Sequence, residues 1–162
     1  NDGSHSLINT KMKNKGFSLV ELLITGAIVS LVVAAITVSF SSFSKNQGLS
    51  NATDIVLAAI NDARSKTLSS ENSNQCGVHF ESAGMIVFVG PTYSAGAATN
   101  IPFNLPGAVE ISANSFNGGG SDILFQKITG KTDQYGSVTI RLISNTGITR
   151  VVSINGNGLV TF

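Results

Sequence analysis

Residues 17–44 form an unbroken apolar run, and this run restricts the fold of the chain more than any other feature. The run contains 28 residues, no proline and one formal charge, Glu21. A helix of that length rises roughly 42 Å, which exceeds the ~30 Å of hydrocarbon in a bilayer. The run therefore predicts a helix that inserts into a membrane.

Glu21 is the exception within this run. A carboxylate placed one turn into an apolar segment is costly unless a partner pairs with it, so Glu21 is a functional candidate. Lys13 and Lys15 are the nearest cations, and both precede Gly16. Cleavage between Gly16 and Phe17 would create an ammonium group four residues before Glu21, poised to pair with it within one chain or between neighbouring subunits. The alternative is a tolerated glutamate at the level of the lipid headgroups.

The sequence Lys-Gly-Phe-Ser-Leu-Val-Glu-Leu-Leu-Ile at residues 15–24 resembles the cleavage and methylation signature of type IV prepilins and type II secretion pseudopilins. In that family a prepilin peptidase cuts after the glycine, and the new N-terminal phenylalanine is N-methylated. The glutamate pairs with the N-terminus of a neighbouring subunit. The resemblance implies that Gly16 and Phe17 flank the cut, that Phe17 is methylated, and that Glu21 is the assembly carboxylate.

Residues 1–16 are accordingly predicted to be a leader peptide that is removed, with Met12 as its natural start. A conventional secretory signal is the alternative, because Lys13 and Lys15 make a basic region and the alanines at 34–35 could serve as a cleavage site. The positive-inside rule keeps the lysines in the cytoplasm and sends the C-terminal part across the membrane.

Residues 45–69 have apolar side chains at spacings of three and four, which indicates an amphipathic helix continuous with the first. Asp62 and Lys66 are spaced to form an ion pair on its wetter side. The apolar positions that recur are Leu49, Ala52, Val56, Ala59, Ile60 and Ala63.

After residue 70 the apolar period becomes two, which indicates strands. Turn sequences separate them, including residues 145–147 and 155–158. The predicted strands are 77–80, 85–89, 108–112, 122–128, 137–143, 148–154 and 159–162.

These patterns predict an α+β fold. A long N-terminal helix, with an apolar membrane half at 17–44 and an amphipathic half at 45–69, packs on an antiparallel sheet or sandwich domain at 70–162. The layout resembles the pilin-like fold, and the order of the last strands is most similar to the GspH/FimT group of minor pseudopilins.

The sequence offers little for catalysis or metal binding. His5 and His79 lie far apart, and with the single cysteine, Cys76, they provide no set of metal ligands. Cys76 and His79 would face opposite sides of one short strand, so they cannot act as nucleophile and base. We expect no enzymatic activity, no cofactor and no metal.

A basic face for DNA is the weaker functional hypothesis. Arg141, Arg150, Lys127 and Lys131 lie on or near the last strands and could form such a face. The alternative is an ordinary solvated outer surface. Without residues 1–16 the chain has 7 basic and 8 acidic residues, so net charge gives no basis for an electrostatic nucleic-acid binder.

We interpret the chain as a structural minor pilin or pseudopilin of a type IV pilus or type II secretion pseudopilus. The expected partners are other pilin subunits, the prepilin peptidase, the inner-membrane assembly platform and, before assembly, the membrane itself. The expected location is the inner membrane, crossed once with the C-terminal domain outside the cytoplasm, and then the filament. The alternatives are a DNA-binding minor pilin for competence and a membrane-anchored or secreted β domain without a filament role.

Overall fold

The computed structural model describes residues 16–69 and 74–162, and for residues 37–42 it describes the backbone alone. The chain divides into two compact units between Phe40 and Ser41. The leader prediction, except for Gly16, lies outside the described residues.

Helix α1 spans Leu19–Leu68. Its first part is built from leucine, isoleucine, valine and alanine without proline, so no backbone N–H is lost within it. The segment Leu19–Ile36 is long and apolar enough to cross a membrane. The bounds of α1 confirm the prediction of one long helix, which begins at Leu19 and not at Phe17.

The later part of α1 carries one buried face. The six apolar side chains that the spacing identified in this part are all at most 3% exposed. The predicted pair on the wetter side is also present, because Lys66 Nζ lies 2.8 Å from Asp62 Oδ2. The amphipathic prediction is confirmed.

Eight strands follow the helix in the described part of the chain, and they form two antiparallel sheets. The first sheet has the order β3-β2-β1-β5 and the second has the order β4-β6-β7-β8. The strand bounds are β1 Cys76–Glu81, β2 Gly84–Val89, β3 Ile101–Asn104, β4 Val109–Phe116, β5 Asp122–Leu124, β6 Gly136–Leu142, β7 Asn145–Ile154 and β8 Val160–Thr161.

Both sheets share one hydrophobic core with the later part of α1. The core contains Val78 and Ile123 of the first sheet, Ile140 and Val152 of the second, and Ile60 of the helix, all fully buried. An apolar helix followed by an amphipathic helix and antiparallel sheets is the α+β, pilin-like layout that the sequence predicted.

Two strand predictions were wrong. No strand was predicted between 89 and 108, but Ile101–Asn104, which includes Pro102, forms β3 and pairs with β2 at the edge of the first sheet. An edge strand tolerates proline because one of its sides needs no N–H donor. The strand expected at 122–128 ends at Leu124, and Ile128 lies in a turn with φ 70°. The turn closes because Gly130 N–H donates to the Gln126 carbonyl at 2.9 Å.

One turn was also misplaced. Residues 145–147 were expected to connect two strands, but β7 already begins at Asn145. The chain reverses at Ile143 and Ser144 instead. The ladder between β6 and β7 is irregular there, which absorbs the extra residues at the start of β7.

Candidate functional site

The predicted cleavage point lies just before α1, in non-helical backbone. Gly16, Phe17 and Ser18 precede the helix, and the Phe17 side chain is 81% exposed. The Ser18 carbonyl accepts the N–H of Leu22 at 3.1 Å, which starts the helical ladder. A Cβ added at Gly16 would meet no described atom within 4 Å. Nothing in the described chain therefore requires glycine at this position, so any such requirement would come from an enzyme that binds it.

Glu21 lies in the first turn of α1, and its side chain is exposed. An acidic group there interacts favourably with the positive end of the helix dipole. Ser18 and Glu21 also have the spacing of a capping box, a signal that the sequence analysis missed. Within the described residues, however, the Glu21 carboxylate makes no hydrogen bond or ion pair.

The other polar side chains between Leu19 and Ile36 are satisfied by their own helix. Thr25 donates its hydroxyl hydrogen to the Glu21 carbonyl at 2.8 Å, with the Leu22 carbonyl also within reach at 3.0 Å. Ser30 donates to the Gly26 carbonyl at 2.8 Å. Such bonds let hydroxyl groups enter an apolar medium at little cost. Glu21 is thus the polar side chain of this segment that still needs a partner.

The surface of the segment is apolar all round. Its large aliphatic side chains are between 51% and 74% exposed, and none of the window Leu19–Ile36 is buried. A helix that is hydrophobic on every side belongs in a membrane or among other helices. The exposed set comprises Leu19, Val20, Leu22, Leu23, Ile24, Ile28, Val29, Leu31, Val32, Val33 and Ile36.

The four cations of the DNA hypothesis do not share one sheet face. Arg141 lies on the outer face of β6, opposite Thr149, and its guanidinium is 2.7 Å from Glu110. Arg150 lies opposite the buried Ile140, so its side chain belongs to the other face. Lys127 and Lys131 lie in the chain between β5 and β6.

His79 and Cys76 lie in different surroundings on β1. Cys76 is buried in the core, whereas His79 on β1 is partly exposed. His79 Nδ1 lies 2.5 Å from Asp122 Oδ1, and its ring stacks on Tyr93 at 3.9 Å between centroids. These contacts hold the edge of the first sheet together. No group of three or more histidine, cysteine or acidic side chains in the described residues could hold a metal ion.

The N-terminal part of the chain matches a known protein family. Residues 11–37 match the family profile of the prokaryotic N-terminal methylation motif. The match covers about a sixth of the chain and includes Gly16, Phe17 and Glu21. It supports the type IV pilin and pseudopilin family, whose members are substrates of a prepilin peptidase. No curated protein and no solved structure matches the chain.

Proposed function

We propose that this protein is a minor pilin or pseudopilin, a structural subunit that is trimmed in the inner membrane and then assembled into a filament. The observation that carries the proposal is the pairing of an N-terminal methylation motif with a fully exposed apolar helix. The motif supplies a route to a new N-terminus, and the helix supplies the surface that other subunits would cover.

The exposed aliphatic surface of Leu19–Ile36 keeps this segment out of water both before and after the proposed assembly. Each of these side chains gains about 1.5–3 kcal/mol when it leaves water for an apolar environment. Before assembly the bilayer provides that environment, and in the filament the same segments of neighbouring subunits provide it. Because lipid and helix surfaces are similarly apolar, this effect keeps the segment out of water but does not select its neighbour.

Glu21 would supply the selection. Removal of residues 1–16 creates an ammonium group at Phe17, and the carboxylate of Glu21 has no partner within the described chain. A charge pair in an apolar bundle relieves the cost that either charge has alone. Pairing with the N-terminus of a neighbouring subunit also fixes the axial register of the two helices. Register and neighbour choice would therefore depend on one carboxylate.

The β domain would lie outside the cytoplasm, because the lysine-rich leader is held on the cytoplasmic side. The outer surface of this domain, whose core is shared by two sheets and the later part of α1, is then available for contacts along the filament or with exported material. The partners of the proposed role are other pilin subunits, the prepilin peptidase and the assembly platform.

Processing provides the direct test. The full chain is expressed with an active prepilin peptidase, and the membrane form is analysed by intact mass and N-terminal sequencing. We expect a chain that begins at methylated Phe17. Gly16→Leu should leave an uncut precursor, whereas the matched variant Gly26→Leu should be cut normally, because a Cβ at Gly26 also meets no described atom within 4 Å.

Two results would contradict the proposal. A mature form that begins beyond residue 35 would indicate a conventional secretory signal. A wild-type chain that keeps residues 1–16 beside an active peptidase would indicate an anchored domain without a filament role.

A further inference from the structure

The outer face of the first sheet carries a cavity of about 250 Å³ beside strand β5. Ile123 of β5 lies in the shared core, so its neighbours Asp122 and Leu124 direct their side chains to the opposite face of the sheet. Both of these side chains line the cavity. Its other walls are the loop after β2, with Pro91 and Thr92, and the glycine-rich turn before β5. The cavity therefore lies on the side of the sheet away from the shared core.

The floor of the cavity is apolar. Phe88 of β2 lies opposite Gly77 of β1, and a Cβ at Gly77 would lie 2.4 Å from the Phe88 ring. The ring therefore covers β1 at the position where glycine leaves space, and it is 2% exposed. Tyr93 packs against this ring, with 5.7 Å between the two centroids. Beside the ring, Leu124 and Pro91 present apolar surface that a ligand can reach.

Two polar side chains that border the cavity are fixed in place. Gln134 Oε1 accepts the Leu124 N–H at 3.2 Å and the Thr132 hydroxyl hydrogen at 3.3 Å, whereas its amide hydrogens have no acceptor in the described residues. Asp122 Oδ1 lies 2.5 Å from His79 Nδ1, and Asp122 Oδ2 has no hydrogen-bond partner in the same part of the chain. The cavity is thus bordered by one donor group and one acceptor atom that both have unused hydrogen-bonding capacity.

These groups restrict the chemical class of a ligand. Among the described residues that line the cavity there is a carboxylate and no lysine or arginine, which disfavours phosphate, sulfate and carboxylate ligands. A guanidinium or ammonium group could pair with Asp122 but has no acceptor for the amide hydrogens of Gln134. A hydroxyl group both donates and accepts, so a pair of hydroxyl groups satisfies both side chains.

The size of the cavity restricts the ligand further. Its volume lies below the ~300–1,000 Å³ of pockets that bind drug-sized molecules, so it suits a single ring. A pyranose ring combines adjacent hydroxyl groups with a face of C–H groups, which match the polar border and the apolar surface of Leu124 and Pro91.

We propose that this cavity binds one neutral hexopyranose unit, with adjacent hydroxyl groups bonded to Asp122 and Gln134 and its C–H groups against Leu124 and Pro91. The site is open to solvent, since the Asp122 side chain is 46% exposed. Such a small ligand in an open site should bind with a dissociation constant of about 1–10 mM. The proposal rests on the β domain alone and does not depend on the filament role.

Nuclear magnetic resonance titration of the isotope-labelled full chain tests the proposal. The chain is held in phosphocholine detergent micelles, because maltoside detergents themselves carry hexose groups. The probes are the methyl glycosides of glucose, galactose and mannose at up to about 100 mM, roughly ten times the expected dissociation constant. At least one should shift the Gln134 side-chain amide and the Gly119 and Gly120 amides saturably. Methylguanidinium and inorganic phosphate should not shift them.

Two variants identify the polar contacts. Gln134→Glu keeps an oxygen to accept the Leu124 N–H but removes the amide hydrogens, so it should weaken binding about tenfold. Gln47→Glu makes the same change on the exposed side of α1 and should bind like the wild type. Asp122→Asn should also weaken binding, with the amide spectrum unchanged away from the cavity.

Three results would overturn the proposal. The first is that none of the three glycosides gives a saturable shift. The second is that methylguanidinium shifts the same amides as strongly as the best glycoside. The third is that Gln134→Glu binds that glycoside as well as Gln47→Glu does.

Discussion

Glu21, Thr25 and Ser30 are the polar side chains of the exposed apolar segment, and they differ in what satisfies them. The two hydroxyl groups bond to carbonyls of their own helix. The Glu21 carboxylate has no such option, because it has no hydrogen to donate to a carbonyl, and it makes no hydrogen bond or ion pair with the described residues. The sequence was sufficient to single out Glu21, since one charge in a long apolar run is visible without a structure.

Replacement of Glu21 by glutamine keeps the size of the side chain and removes its charge. We expect Glu21→Gln to leave cleavage and methylation intact, while the amount of subunit recovered in sheared filaments falls at least about tenfold, as for loss of a buried charge pair. Thr25→Val is the control, because its hydroxyl contacts only its own helix. Normal recovery of Glu21→Gln would show that the pairing is not needed.

Thr67 is a buried polar residue that the sequence did not reveal. It lies in the amphipathic part of α1, and threonine occurs on both the buried and the exposed face of such helices, so its burial could not be predicted. In the structure its hydroxyl donates to the Ala63 carbonyl and accepts the Cys76 N–H, both at 2.9 Å. This bond joins the end of α1 to the start of β1, a contact that no local pattern predicts.

Loss of the Thr67 hydroxyl should therefore destabilise the β domain. Thr67→Val leaves the buried Cys76 N–H without its acceptor, which costs about 1–3 kcal/mol of unfolding free energy. Thr53→Val is a matched control, because that buried hydroxyl donates only to the Leu49 carbonyl of its own helix. Urea unfolding of the unit Ser41–Phe162 measures both. Equal stability of the two variants would contradict the assigned role of Thr67.

At the scale of single elements, the amphipathic part of α1 was the most predictable. Its apolar positions recur regularly, and burial follows that spacing residue by residue. The strands were less predictable because the residue at which a strand ends depends on the neighbouring strand with which it pairs. Strand β3 was missed because it contains Pro102, a residue that is rare in strands. Strand β5 was predicted too long because the apolar pattern continues to Ile128, whereas the pairing of β5 with β1 ends at Leu124.

Two adjacent alanines test how closely α1 packs on the sheets. Ala59 is fully buried, whereas Ala58 is exposed on the other side of the helix. Ala59→Leu forces extra volume into a filled core and should lower the unfolding free energy by about 1–3 kcal/mol. Ala58→Leu should change it by less than about 0.5 kcal/mol. Thermal unfolding, monitored by circular dichroism, distinguishes the two variants. Similar melting temperatures of the two variants would show that the buried face of α1 is loosely packed.

At the scale of the whole molecule, the fold class followed from the change of apolar period from helical spacing to two. The sheet order did not follow, because β5 returns to pair with β1 while β4 starts the second sheet. These pairings join residues far apart in the chain, and their choice depends on the shared core. The functional motif lies in a local segment, which is why the sequence could identify it.

We expect the two compact units to differ in their solubility in water. A fragment of Ser41–Phe162 retains the shared core and lacks the exposed aliphatic segment. We expect it to remain soluble, monomeric and folded, because its apolar side chains are largely covered. The full chain should float with liposomes in a density gradient. A fragment that aggregates, or a full chain that stays in the aqueous fraction, would contradict this division.

The buried position of Cys76 has a practical consequence for mapping the neighbours of this subunit in the proposed filament. The chain contains one cysteine, and it is 1% exposed in the core. Thiol reagents should therefore leave the native folded protein unlabelled. Cysteines introduced in pairs on its surface can then be joined by oxidation without first removing the natural thiol. Each cross-link obtained in this way would report one contact between subunits, because the buried Cys76 would form none.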